Sequence, residues 1–108
     1  MKQDLDKDIL DIAIGWNSSG LKLAIATVIK TWGSSPRPVG SLLLVNETGE
    51  FVGSVSGGCI EGAVIQSALE VIEDEKPRLL DFGVTNSQAW EVGLACGGKV
   101  QIFVENIS

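Results

Sequence analysis

The chain has no histidine, and only two of its 108 residues are cysteine, Cys59 and Cys96. Without histidine, Ser-His-Asp and Cys-His catalysis within this one chain are excluded. A structural zinc site needs four Cys, His or carboxylate ligands, and the chain has neither a CxxC pair nor a histidine to supply them. Two cysteines in a chain without an export signal make a weak disulfide framework. No apolar run approaches the roughly 18–20 residues that span a membrane. Residues Met1 to Asp4 lack the apolar segment of a signal peptide. The expectation is a soluble cytoplasmic protein with no membrane partner. Eight basic residues stand against fourteen acidic ones, a net charge of -6, and they form no cluster. That argues against a nucleic-acid binder driven by the phosphate backbone, which needs a basic face. An acidic balance favours solubility without naming a partner.

What is present reads as one small globular domain over residues 1–108. Hydrophobic residues make up 44% of the chain, which argues against disorder. A domain of this size buries roughly 60–70% of its unfolded surface, enough for one core. Leu5, Ile9, Ile12 and Trp16 recur at helical spacing and predict a helix over about 3–17, with Asp4, Asp6 and Asp8 favoured at its positive end. The near-continuous apolar run 22–31 predicts a central strand buried on both faces. Residues 41–45 and 51–55 flank the turn Asn46-Glu47-Thr48-Gly49 and predict a hairpin. A helix is expected from about Ile60 to Asp74, with Val64, Ala68 and Val71 on its apolar stripe and Pro77 beyond its end. Residues 78–82 predict a short strand, and 100–105 a last one in which Val100, Ile102 and Val104 alternate with Gln101, Phe103 and Glu105. Residues 83–91 read as a loop or short helix. The expected fold is α/β: a mixed sheet of about five strands covered by two main helices.

Three segments could carry chemistry. Ser56-Gly57-Gly58-Cys59 lies between a predicted strand and a predicted helix. Paired glycines let a backbone approach a ligand closely, and a helix start offers unpaired N–H groups to an anion. A cysteine placed there gains thiolate character. The plainer reading is a tight turn with a small buried cysteine, and both stay open. Gly93 to Gly98, GLACGG, repeats the pattern of a cysteine before two glycines, Gly97 and Gly98. Alone it reads as a bulge or turn. Two soft thiolates close in space would suit a soft metal or a reactive sulfur, or would form a reversible disulfide. The third segment is Thr31 to Ser41, TWGSSPRPVGS, in which Arg37 stands between two prolines. An arginine on a stiffened backbone suits a phosphate or carboxylate, although a solvated turn explains it equally. Glu61, in the first turn of the second predicted helix, reads as a dipole partner. Glu91 is conceivable as an acid or base. Trp32 and Trp90 suit either a planar ring or the core.

In this order, ATVIKTWGSSPRPVGS, GEFVGSVSGGCIEGAV and EVGLACGGKVQIFVE resemble the N-terminal domain of the XdhC/CoxI family over roughly residues 24–105. These are accessory proteins of molybdenum hydroxylases such as xanthine dehydrogenase and carbon monoxide dehydrogenase. The resemblance implies a chaperone, not itself an enzyme, that binds molybdenum cofactor and assists its sulfuration or insertion into the client molybdoenzyme. It implies contacts from Cys59 and Cys96 to the metal or its sulfur, and from Ser56, Gly57, Gly58, Gly97, Gly98 and Arg37 to the rest of the cofactor. Family members usually continue into a Rossmann-like domain, and this chain has no GxGxxG. A separate Rossmann-domain chain is therefore an expected partner, as is a homodimer. Two other readings are a thiol redox or persulfide-transfer module using Cys59 and Cys96, and a structural protein that docks a Rossmann-domain partner.

Overall fold

A computed structural model describes residues 2–32, 38–55, 60–82 and 99–107, without the side chains of residues 2–7 and 32. Seven elements follow in the order α1 (Lys2–Ser18), β1 (Leu23–Trp32), β2 (Leu42–Asn46), β3 (Phe51–Gly53), α2 (Glu61–Asp74), β4 (Arg78–Phe82) and β5 (Lys99–Asn106). The strands form one sheet in the order β3-β2-β1-β5-β4. All four pairings are antiparallel, where the sequence leads one to expect a mixed sheet. The reason is connectivity: β1–β2, β2–β3 and β4–β5 are neighbours both in sequence and in space, so the chain reverses at each connection. The α2 connection joins strands at opposite edges, which do not pair.

β1 is the central strand, as its unbroken apolar run predicts. Ala24, Ala26 and Val28 point to one face and are fully buried. They meet Val64, Ala68, Val71 and Ile72 of α2, with Val100, Ile102 and Val104 of β5 and Leu43 and Val45 of β2, in the main core. The helical stripe of α2 and the alternation of β5 therefore face each other, which is what periods of 3.6 and 2 demand of a helix on a sheet. On the other face, Leu23 and Leu44 pack with Ile9, Ile12, Ala13 and Trp16 of α1 in a smaller cluster.

The β2–β3 turn is closed by one side chain. Asn46 is fully buried, and its Oδ1 accepts hydrogen bonds from Thr48 N–H (2.9 Å), Thr48 Oγ1 (2.6 Å) and Glu50 N–H (3.2 Å). This is the local side-chain-to-backbone bonding that suits asparagine to turns. α2 ends at Glu75, a non-glycine residue at φ 59°, whose N–H donates to Val71 O at 2.7 Å. Arg78, at the start of β4, then forms ion pairs with Glu70 and Asp74 and ties the end of the helix to the edge strand.

Candidate functional site

All eight residues expected to contact a ligand lie outside the described residues: Arg37, Ser56, Gly57, Gly58, Cys59, Cys96, Gly97 and Gly98. Trp90 and Glu91 lie outside them as well. What is described is where the chain leaves and re-enters around each motif. β1 ends at Trp32, which pairs with Lys99 at the start of β5. β4 ends at Phe82, which pairs with Val100. Past β1, the chain is back at Gly40, whose N–H donates to Val28 O at 2.8 Å, and at Ser41, whose carbonyl accepts from Val28 N–H at 3.0 Å. β3 ends at Gly53, paired with Leu43 near the start of β2. Because all the strands are antiparallel, these points lie at one end of the sheet. The segments 33–37, 56–59 and 83–98, which hold those eight residues, all connect there.

The exit from β3 is built from three residues. Gly53 sits at φ +95°, and a Cβ on it would stand 2.3 Å from the Leu42 carbonyl oxygen. Only glycine combines that φ with so close an approach. Ser54 N–H then donates to Leu42 O at 2.9 Å and binds the outgoing chain to β2. Its hydroxyl donates to Glu61 Oε2 at 2.8 Å, and the next N–H, that of Val55, donates to the same oxygen at 3.0 Å. Glu61 is the first residue of α2. Its carboxylate therefore joins the start of α2 to the exit from β3. From sequence, Glu61 is a candidate whose simpler reading is a partner of the helix dipole. The bonds it makes reach six and seven residues back along the chain, and no local periodicity signals them.

On the segment 38–41 side, Ser41 is buried and its hydroxyl donates to Pro38 O at 2.8 Å. Among the described residues no group of three His, Cys, Asp or Glu side chains is placed to hold a metal ion. A shallow open depression of about 200 Å3, lined by Asn17, Lys22, Ile72, Glu75 and Asn106 among others, lies at the opposite end of the sheet. It contains none of the motif residues and is the junction of α1, α2 and the strand ends. No helix among the described residues is long and apolar enough to cross a membrane.

Comparison with other proteins agrees with this architecture. A family model described as the XdhC and CoxI family matches residues 16–83. The molybdenum cofactor insertion chaperone PaoD of Escherichia coli (strain K12) is 31% identical over 104 residues, 96% of this chain and 32% of that protein. A protein of Bacillus subtilis (strain 168), named as a probable xanthine dehydrogenase subunit, is 27% identical over 86 residues, 78% of this chain and 26% of that protein. A crystal structure described as a xanthine dehydrogenase from Bacillus halodurans superposes with a TM-score of 0.74 at 27% identity, over 91% of this chain and 30% of that one. The chain thus spans about a third or less of the length of these proteins.

Proposed function

Because the chain belongs to the XdhC and CoxI family, we propose that it is an accessory protein of molybdoenzyme maturation that receives molybdenum cofactor as cargo for a molybdenum hydroxylase client. The observation that carries this reading is the convergence of three connections on one end of one sheet. The segments bearing Arg37, Cys59 and Cys96 are more than 20 residues apart in sequence, and the antiparallel pairing sends their flanks off the sheet in the same direction, at staggered levels. The chemistry of the residues suits the cargo. Cys59 and Cys96 are soft ligands suited to the metal or its sulfur. Arg37 and the N–H groups around Ser56, Gly57 and Gly58 suit the phosphate, with Gly97 and Gly98 allowing close approach. In this reading the chain holds and presents the cofactor for sulfuration or insertion. A separate Rossmann-domain chain, or a second copy of this chain, completes the cradle.

The test is cofactor binding by the purified protein, measured as molybdenum and pterin retained after gel filtration. Cys59→Ala and Cys96→Ala should each weaken binding by about tenfold or more, the equivalent of losing roughly 1.4 kcal/mol. Unchanged affinity in both variants would remove the cysteines from the reading. Binding that arises only after a Rossmann-domain family protein is added would assign half of the cradle to that partner.

A further inference from the structure

We propose that the β4–β5 half of the sheet face that carries α1 is a docking shelf for a basic amphipathic helix of a second protein. The inference rests on the expectation of a partner chain stated above and needs no cofactor. Val100, Ile102 and Val104 of β5 point into the core under α2, so Phe103 between them faces the α1 side. Strand register sets Thr27, Phe103 and Leu79 in one row across that side. Ile107, just past β5, donates its N–H to Leu23 O at 3.2 Å and continues the same face. The cluster beneath α1 draws its strand residues from β1, β2 and β3 and, among the described residues, none from β4 or β5. Leu79 is 52% exposed and Ile107 43%. The wall of the shelf is α1. Leu10 and Ile14, 55% and 66% exposed, share one flank of the helix with Asn17, at helical spacing. Asn17 borders the same depression as Asn106 of β5, so that flank faces β5. Single exposed apolar side chains need no explanation, but these four border one shelf around Phe103.

Charge selects the occupant. Glu105 lies two residues along β5 from Phe103, and Asp81 two along β4 from Leu79, so both share the face of the apolar pair. Asp81 pairs with Gln101, four residues from Glu105. The two carboxylates therefore bracket the apolar pair roughly 13 Å apart, the length of eight or nine helical residues. A helix lying beside α1 covers Leu79 and Phe103 with its apolar stripe and meets the carboxylates with lysine or arginine at either end of that stripe. A second copy of this chain brings the wrong charge, because its own α1 exposes Asp8 and Asp11 and the chain as a whole carries -6. Lys30 and Lys99 lie on this side beyond Asp81, toward the end of the sheet where the three motif-bearing connections leave. A partner seated on the shelf thus reaches that end.

The probe is a synthetic helix of about 18 residues, five turns, with leucine along one face and lysine at its margins. Its control carries glutamate in place of every lysine. In NMR titrations of the whole isotope-labelled chain, the lysine peptide should shift the amide signals of Leu79, Phe103 and Ile107 together with Leu10 and Ile14. It should bind roughly fivefold or more tightly than the glutamate peptide. Leu79→Glu should weaken that binding about fivefold, and Glu105→Lys should weaken it about threefold while strengthening binding of the glutamate peptide. If Leu79→Glu does not fold, Ile14→Glu on the exposed helix flank should weaken binding in the same direction. Shifts confined to other surfaces, equal affinity for the two peptides, or a folded shelf variant that binds as the parent does would each overturn the inference. Sedimentation that shows a dimer broken by Leu79→Glu would give the shelf to a second copy and overturn it as well. Failure of the cofactor reading shows separately, as a Cys59→Ala protein that binds the cofactor as well as the parent does.

Discussion

Gly53 and Glu61 do at single positions what no run of residues around them announces. Gly53 turns β3 out of the sheet at φ +95° with the Leu42 carbonyl against it. A methyl group there must displace backbone on the neighbouring strand, and the residue must also hold a φ that L side chains rarely adopt. Gly53→Ala should destabilise the fold by about 2–4 kcal/mol, summing the left-handed penalty and the overpacking. Urea unfolding would measure it, and a change below about 0.5 kcal/mol would mean the exit from β3 relaxes freely. Sequence shows that Gly53 is a glycine in a strand, which signals a close approach or a bulge, but it does not show which carbonyl approaches. The same limit holds for Glu61: its place in a first turn is legible, and its partners at the exit from β3 are not.

At the scale of elements, the sequence is legible because each element is periodic. The stripe predicted for the second helix is the one buried in α2, and the alternation predicted for residues 100–105 is the one buried in β5. The second helix is expected to run to about Asp74 with Pro77 beyond it, and α2 ends at Asp74, the chain leaving it through Glu75 in the left-handed conformation. Local bonds at that exit carry a pH dependence. Lys76 N–H donates to Asp74 Oδ1 at 2.9 Å, and this bond, aided by Arg78 and opposed by desolvation, holds the Asp74 carboxyl below its ordinary value. A carboxyl lowered in the folded state stabilises it above the unfolded pKa, and loses that contribution as pH falls through the folded one. Asp74 should therefore titrate by NMR at a lower midpoint than in an unstructured peptide. The Asp74→Asn variant should lose less stability than the parent as pH falls below about 4. Equal acid sensitivity in the two proteins would assign that dependence to other carboxylates.

Across the whole molecule the two faces of the sheet are unequal. Fifteen buried residues form the cluster under α2, and three form the one under α1, among the described residues. Because local stability follows buried apolar contact, α1 should open before α2. Native-state hydrogen exchange would show it as weaker protection at Ile12, Ala13 and Trp16 than at Val64, Ala68 and Val71, and equal protection would mean that the two helices open together. The sequence by itself determined the elements, their buried faces and the family resemblance, because helix and strand periods, turn residues and ordered motifs are local properties of the chain. Only the tertiary structure decided that the sheet is antiparallel throughout, with β5 inserted between β1 and β4. It also decided that all three motif-bearing connections share one end of the sheet, and that Glu61 reaches back to Ser54 and Val55. Those outcomes depend on which strands pair, and pairing is a contact between residues far apart in sequence, selected by the burial of whole faces and not by any local pattern.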